Sequence, residues 1–127
     1  MSKRILLVDG DETIVESVNA LLKGMGYRVR TETSGADALD AFSSNPGGFD
    51  LVIADLGMPD ISGFLLIQRL LKMRTDIPIV LLTSPDGRAQ SVERQTGIRW
   101  YGMKPLSMPD LADTVENALL ETGGSAG

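Results

Sequence analysis

Four side chains that suit phosphoryl chemistry stand at the ends of short apolar runs. They are Asp9, Asp55, Thr83 and Lys104. Two carboxylates supply the oxygen ligands that Mg²⁺ prefers, and a carboxylate can itself act as a nucleophile and form an acyl phosphate. A hydroxyl and an ammonium group can bind the remaining phosphoryl oxygens. The residue types therefore indicate phosphoryl transfer, provided that the fold brings the four runs together.

The composition of the 127-residue chain excludes several other kinds of site. The chain contains no Cys and no His, which removes thiol nucleophiles, disulfides, Ser-His-Asp hydrolysis and zinc sites built on thiolate or imidazole. Its 12 basic and 17 acidic residues give a net charge of −5, and an acidic surface argues against direct binding of nucleic acid. The apolar runs are too short to span a membrane. We therefore expect a soluble, cytoplasmic protein without a membrane partner.

Five apolar runs alternate with stretches of helical period, and this alternation predicts the elements that position the four side chains. Continuous runs are typical of strands that are buried on both faces of a parallel sheet. Strand followed by helix, five times over, predicts a flavodoxin-like α/β fold: a doubly wound five-stranded parallel sheet with helices on both faces. In such a sheet the site lies at the carboxyl ends of the strands. The predicted strands are Arg4–Asp9, Tyr27–Thr31 (an alternating, edge-type run), Leu51–Asp55, Pro78–Thr83 and Arg99–Met103.

The segments between the runs carry helix signals. Ser34 and Ser107 each suit the N-cap position of a helix, and Arg88–Gln95 is the least apolar of the helical segments. The Gly-rich end of the chain, TGGSAG, is typical of a linker. The sequence therefore predicts one domain over residues 1–121 and a flexible tail over residues 122–127.

The motifs around the strand ends resemble those of the receiver domains of bacterial two-component response regulators. The resemblance covers Arg4 to about Leu120, and it rests on ILLVDGDE at the first strand, DLVIADLGMPDISG around Asp55, VLLTS at the fourth strand and WYGMKPL at the fifth. The stretches FDLVIADLGMP and GIRWYGMKPLS are most similar to receivers attached to hybrid sensor histidine kinases.

This resemblance implies a chemical role for each of the strand-end residues. Asp55 is the phosphoacceptor, which takes a phosphoryl group from a histidine of a partner kinase or phosphotransfer protein. Asp9, Asp55 and the backbone carbonyl of Gly57 hold Mg²⁺. Thr83 bonds the phosphoryl group, and Lys104 pairs with one of its oxygens. Because the chain has no His, that histidine must belong to a partner.

The resemblance also implies a conformational switch. Thr83 and Tyr101 are expected to move together when the phosphoryl group arrives, and Pro105 occupies a position where the family has a cis proline. The surface formed by the fourth helix, fifth strand and fifth helix is expected to transmit the change to partners. The domain is expected to be a monomer or to form a weak dimer through this surface. Trp100 and Tyr101 point to opposite faces of a regular strand, and we interpret Trp100 as a packing residue.

The loop after Asp55 carries three residues with an expected structural role. Met58 and Pro59 are expected to shape the loop, and Gly63 is expected to allow a close approach of the chain. None of the three carries a group suited to phosphoryl chemistry.

Gly10 departs from the family pattern, which usually has a second acid at this position as a main metal contact. Three outcomes are open. Water fills the ligand position, because Mg²⁺ tolerates a mostly hydrated shell. Alternatively, Asp11 reaches in as a further metal ligand, although Asp11 and Glu12 also suit a first helical turn, where acids complement the helix dipole. In the third case the site holds no metal, and the domain is a pseudo-receiver, an interaction module that works without phosphorylation.

Two other classes of protein use similar residues. A Mg²⁺-dependent phosphatase with an Asp nucleophile needs a cap over its substrate and a general acid two residues after the nucleophile, where this chain has Gly57. A flavin-binding protein needs a hydroxyl-rich phosphate loop after the first strand, which the sequence lacks. We therefore expect no conventional enzyme but a phosphoacceptor domain, limited to self-phosphorylation and self-dephosphorylation. Its output domain is attached or separate, and the parent chain could itself be a histidine kinase.

Overall fold

Five parallel strands form one sheet in the computed structural model, which describes residues 2–58, 60–85 and 88–124. The alternating run predicted over Tyr27–Thr31 forms a strand at one edge of this sheet, as expected. The prediction of a doubly wound five-stranded parallel sheet is confirmed. The strands are β1 (Arg4–Val8), β2 (Arg28–Glu32), β3 (Leu51–Asp55), β4 (Ile79–Thr83) and β5 (Trp100–Met103), in the order β2-β1-β3-β4-β5 across the sheet.

Five helices follow the strands, and serine hydroxyls cap several of them. The Ser34 hydroxyl accepts a hydrogen bond from a backbone N–H three residues later at 3.1 Å, and the Ser107 hydroxyl does the same at 3.3 Å, which satisfies amides at the helix start. No helix among the described residues is long and apolar enough to cross a membrane. The helices are α1 (Glu12–Gly24), α2 (Gly35–Ser44), α3 (Gly63–Met73), α4 (Arg88–Thr96) and α5 (Met108–Gly124), with a 3₁₀ turn over Pro46–Gly48 before β3.

The end of α5 differs from the sequence-based expectation. The helix continues to Gly124, so the prediction that a tail begins at Thr122 is wrong for residues 122–124. Glycine disfavours a helix by only about 1 kcal/mol per residue, which an established helix of this length tolerates near its end. Residues 125–127, the rest of the predicted tail, lie outside the described residues.

The side chains of β1, β3 and β4 alternate between two apolar clusters, one on each face of the sheet. Helices α1 and α5 cover one face and α2, α3 and α4 the other. Trp100 packs against the α1–α5 cluster and Tyr101 against the opposite one, which confirms that they point to opposite faces. Each fully buried Leu or Ile contributes about 1.5–3 kcal/mol by leaving water. The largest fully buried side chains are Phe42, Ile5, Leu6, Leu7, Leu22, Leu51, Ile53, Leu66, Ile67, Leu70, Ile79 and Leu81.

Candidate functional site

The register of the sheet brings two carboxylates side by side at its carboxyl edge. The last residues paired between β1 and β3 are Val8 and Ala54. The next residues along the two strands are therefore Asp9 and Asp55, which lie on neighbouring strands at the same height. Both are buried, with 0% of Asp9 and 7% of Asp55 exposed. Buried carboxylates at the end of a parallel sheet need charged or hydrogen-bonding partners.

The other two predicted site residues arrive on β4 and β5. Thr83 pairs with Met103 in the register, and the backbone N–H of the next residue, Lys104, donates to the Thr83 carbonyl at 2.7 Å. Thr83 is 2% exposed, and its hydroxyl donates to the Ser84 carbonyl at 3.1 Å. The Lys104–Pro105 peptide bond is cis, the conformation that the resemblance implies.

Lys104 joins the two carboxylates. Its Nζ lies 3.0 Å from Asp9 Oδ2 and 3.2 Å from Asp55 Oδ1, and 22% of its side chain is exposed. Two carboxylates that share one ammonium leave a formal charge of −1 at this edge of the sheet when both are ionised. A negatively charged edge attracts a cation. A bound cation would in turn offset the negative charge of a phosphoryl group at the same place.

Backbone amides fix one oxygen of each carboxylate. The N–H of Asp11 donates to Asp9 Oδ1 at 2.9 Å, and the N–H of Gly57 donates to Asp55 Oδ1 at 3.1 Å. Both contacts of the Asp55 carboxylate with described residues therefore involve Oδ1. Oδ2 of Asp55 has no hydrogen-bond partner among those residues, so that its lone pairs are available for reaction.

The pKa values of Asp9 and Lys104 are both raised, for different reasons. Burial raises the pKa of Asp9, and the smaller opposing effects of the Asp11 amide and of Lys104 do not cancel it. Burial of Lys104 acts to lower its pKa, but its hydrogen bond with Asp9 and the charge of Asp55 outweigh that effect, and the pKa is raised above the usual 10.5. The ammonium is therefore charged at neutral pH and can pair with an anion.

The donor atoms fit a Mg²⁺ ion that keeps several of its waters. Oδ2 of Asp9 is buried, and the ammonium of Lys104 at 3.0 Å is the one polar group that contacts it among the described residues. A carboxylate oxygen that pairs with one ammonium group has a further lone pair with which it can bind a cation. No cluster of three or more acidic side chains that could hold a metal occurs among the described residues. The protein ligands would be Asp9, Asp55 and the carbonyl of Gly57, which suits the few-carboxylate sites of Mg²⁺.

Asp11 is the candidate ligand that the structure does not bring into this cluster. Its Oδ1 accepts the N–H of Thr13 at 2.9 Å and caps α1, and the residue is exposed. Glu12 lies in the first turn of the same helix. Both acids therefore stand where they stabilise the start of α1.

Tyr101, the predicted switch residue, lies half-buried on β5. Its hydroxyl donates to the Ile98 carbonyl at 2.9 Å. Burial, together with the nearby Glu93 carboxylate, raises the pKa of Tyr101 to about 12. The phenol is neutral at physiological pH, so that any movement of Tyr101 is a matter of packing and hydrogen bonding.

The loop after Asp55 is held by close contacts. A Cβ atom on Gly63 would lie 2.5 Å from the Cα of Leu56, so only glycine allows α3 to begin this close to the end of β3. Met58 is buried in the core, as expected of a residue that shapes the loop. Pro59, its predicted partner in that role, lies outside the described residues.

One further contact of this loop has no signal in the sequence. The Asp60 carboxylate accepts the N–H of Gly35 through Oδ1 and the N–H of Ala36 through Oδ2, both at 3.0 Å. Those amides belong to the first turn of α2, 24 and 25 residues earlier in the chain. No local pattern could have paired Asp60 with these amides. The contact forms only when β2, which precedes α2, and β3, which precedes Asp60, lie in the same sheet.

Comparison with known proteins decides the family. Residues 5–116 match the response regulator receiver domain family. This chain belongs to that family. The match includes all the strands from residue 5 of β1 onward and all of the site residues described above. The resemblance inferred from the motifs is confirmed.

Relatives of this receiver domain occur in bacteria and plants. The transcriptional regulatory protein ZraR of Escherichia coli is 34% identical over 119 residues, which are 93% of this chain and 26% of that protein. The two-component response regulator ARR12 of Arabidopsis thaliana is 33% identical over 109 residues, 85% of this chain and 18% of that protein. The chain thus spans about a quarter of the length of the first relative and less than a fifth of the second.

Solved receiver domains share the whole fold. The CheY-like receiver domain protein from Methanospirillum hungatei has a TM-score of 0.89 at 28% identity, covering 98% of this chain and 99% of that one. A putative response regulator from Chloroflexus aurantiacus has a TM-score of 0.84 at 31% identity, covering 94% of this chain and 98% of that one. The receiver fold therefore accounts for nearly every described element.

Proposed function

We propose that this receiver domain is the phosphoacceptor of a two-component phosphorelay and that Asp55 is the acceptor. The carrying observation is the arrangement of its two oxygens: Oδ1 is fixed by Lys104 and by the Gly57 amide, while Oδ2 has no hydrogen-bond partner among the described residues. A buried carboxylate held by one oxygen beside an ammonium group is oriented to react through the other.

The proposed step transfers a phosphoryl group from a partner's phosphohistidine. Oδ2 of Asp55 forms a bond to phosphorus, the P–N bond breaks, and its electron pair returns to the imidazole, which takes a proton and leaves neutral. Lys104 and the Thr83 hydroxyl bind phosphoryl oxygens as charge shifts towards the acceptor. Mg²⁺, when bound, neutralises charge on the phosphoryl oxygens. The group that arrives at Asp55 then biases the conformations of Thr83 and Tyr101.

The biological setting follows from the same proposal. The partners are a histidine kinase or a histidine phosphotransfer protein in the cytoplasm, and the output domain is attached or separate. The face formed by α4, β5 and α5 carries the readout, and a weak dimer would use the same face. The domain is not a conventional enzyme, since its chemistry acts on its own carboxylate. Attachment to a hybrid kinase is the form suggested by the motifs around Asp55 and Lys104.

The direct test is the formation of an aspartyl phosphate. We expect wild-type protein incubated with acetyl phosphate and Mg²⁺ to gain the mass of one phosphoryl group, with the adduct mapped to the peptide that contains Asp55. The adduct should disappear with hydroxylamine, because an acyl phosphate is cleaved where a serine or threonine phosphate is not. Absence of any adduct, from acetyl phosphate and from phosphorylated partner alike, would favour the pseudo-receiver.

The pseudo-receiver remains the second candidate because of Gly10. We expect Gly10→Asp to tighten Mg²⁺ binding about tenfold, since a second carboxylate beside Asp9 adds a full negative charge near the cation. Calorimetric titration with Mg²⁺ measures the change. Gly47→Asp is the matched control, because it adds the same charge at an exposed position where a Cβ meets nothing within 4 Å. Equal affinity in Gly10→Asp and wild type would mean that the ligand position is already filled.

A further inference from the structure

The contact between the loop after Asp55 and the start of α2 has both a polar and an apolar part. Asp60 accepts the two amides of Gly35 and Ala36, each at 3.0 Å. Beside it, a Cβ atom on Gly35 would lie 1.9 Å from Cγ2 of Ile61, so the Ile61 side chain occupies the space that any larger residue at position 35 would fill. We call this contact of Asp60 and Ile61 with Gly35 and Ala36 the α2 latch.

The polar part of the α2 latch places the Asp60 carboxylate at the start of a helix. Both carboxylate oxygens are used, each by a separate backbone N–H at the positive end of a helix. These two amides lower the pKa of Asp60, as expected of a carboxylate whose charged form accepts hydrogen bonds. Ile61 packs against the α2–α3–α4 apolar cluster at the same place. Loop and helix are therefore joined by charge and by shape.

The loop that the α2 latch holds is the one that carries the proposed acceptor and metal ligand. At its beginning, the N–H of Leu56 donates to the Leu82 carbonyl at 3.0 Å and the N–H of Gly57 donates to Asp55. At its end, Gly63 lies against Leu56. Between these points, Asp60 provides hydrogen bonds from the loop to a distant element among the described residues. A loop fixed at both ends and at one point between has few ways to move its carbonyls.

We propose that Asp60 is a positioning residue for phosphoryl acceptance, acting through the α2 latch to fix the geometry of Gly57 and of Asp55 Oδ1. The inference rests on the proposed function in so far as Asp55 is the acceptor. It also makes the start of α2 part of the site's support, although α2 contributes no group to the chemistry. A partner that displaced the first turn of α2 would thereby loosen the acceptor loop.

The test uses Asp60→Asn in the full chain. Asparagine keeps the shape but has one acceptor oxygen in place of two. Its amide nitrogen, which cannot accept a hydrogen bond, then faces one of the two backbone N–H groups. We expect amide hydrogen exchange at Gly35, Ala36 and Gly57 to become about tenfold faster in the metal-free protein, and the affinity for Mg²⁺ to fall about tenfold. Gly35→Ala, which displaces Ile61 from the other side, should produce the same changes; Asp60→Asn carries the test if that variant does not fold.

Two controls separate positioning from general stability. Ser34→Ala removes the other cap of α2, the bond to the Asp37 amide, without touching the loop. Asp76→Asn removes another exposed acid with a lowered pKa, whose partner is Arg74 at 2.9 Å. Both should leave Gly57 exchange and Mg²⁺ affinity unchanged. If Ser34→Ala accelerates Gly57 exchange as much as Asp60→Asn does, or if Asp60→Asn changes nothing, the proposal is overturned.

The outcome does not depend on whether Asp55 is phosphorylated. Amide exchange is read without phosphodonor or metal, so a wild-type protein that forms no adduct refutes the proposed function and leaves the positioning of Gly57 by Asp60 supported. Conversely, normal phosphorylation with unchanged exchange in Asp60→Asn refutes only the role of the α2 latch.

Discussion

Asp55→Asn is expected to take up no phosphoryl group from acetyl phosphate or from a phosphorylated partner. The amide oxygen of asparagine can still accept the Gly57 N–H and the Lys104 ammonium, the two contacts that Oδ1 makes at 3.1 and 3.2 Å. The fold and the neighbouring groups are therefore retained, while the nucleophilic oxygen is lost, because the lone pair of an amide nitrogen is delocalised into the carbonyl group and does not attack phosphorus. The expected effect is complete loss of the adduct.

Intact mass measures this prediction, with two safeguards. Asp76→Asn is the matched control: it makes the same chemical change at an exposed aspartate paired with Arg74, away from the cluster, and should form as much adduct as wild type. An adduct on Asp55→Asn that resists hydroxylamine would move the acceptor to a hydroxyl such as Thr83. One that hydroxylamine removes would point to another carboxylate. Either result contradicts the assignment of Asp55.

Much of this site could be predicted because it is built from strand ends. The runs that end at Asp9, Asp55 and Thr83 are continuous and apolar, and such runs form strands buried on both faces wherever helices cover a parallel sheet. Once five parallel strands are accepted, their ends must share one edge, so that residues far apart in sequence become neighbours without further information. Lys104 follows from the same argument, one residue after β5.

What the sequence could not supply is which of two competing uses a side chain adopts. Asp11 could cap a helix or bind a metal, and its Oδ1 bonds the Thr13 amide; the choice depends on the direction in which α1 leaves the sheet. Asp60 pairs with amides 24 and 25 residues away, and such a pairing depends on the relative position of α2 and the loop. Helix α5 continues beyond residue 121 to Gly124, because Gly123 and Gly124 are weak helix breakers once a long helix precedes them.

Lys104→Met has the second largest expected effect, a loss of about a hundredfold or more in the rate of adduct formation. In wild type, the ammonium lies 3.0 Å from Asp9 Oδ2 and 3.2 Å from Asp55 Oδ1. Without it, an anionic phosphoryl group must approach two buried carboxylates with no protein cation beside them. Removing one partner from such a cluster also leaves uncompensated buried charge, so the variant should be less stable than wild type at neutral pH.

The pH dependence of that loss has a definite sign. The raised pKa of Lys104 means that its contribution to folding is complete below the usual 10.5 and is lost only as the pH rises through the folded-state value. Burial raises the pKa of Asp9 above 3.8, so its ionised form opposes folding, and more so once the ammonium is gone. The stability deficit of Lys104→Met should therefore be largest at neutral pH and shrink as the pH falls through the raised pKa of Asp9.

Denaturant unfolding at neutral and at mildly acidic pH measures this deficit, with Lys72→Met as the control for loss of an exposed lysine. A deficit of equal size at both pH values would mean that Lys104 stabilises the fold through its methylene chain and not through its charge.

Lys104→Arg separates the two roles of the ammonium. A guanidinium restores the positive charge beside Asp9 and Asp55 but is larger and planar. Stability should therefore largely return, whereas adduct formation should not, because the phosphoryl oxygen needs a compact charge at the position of Nζ.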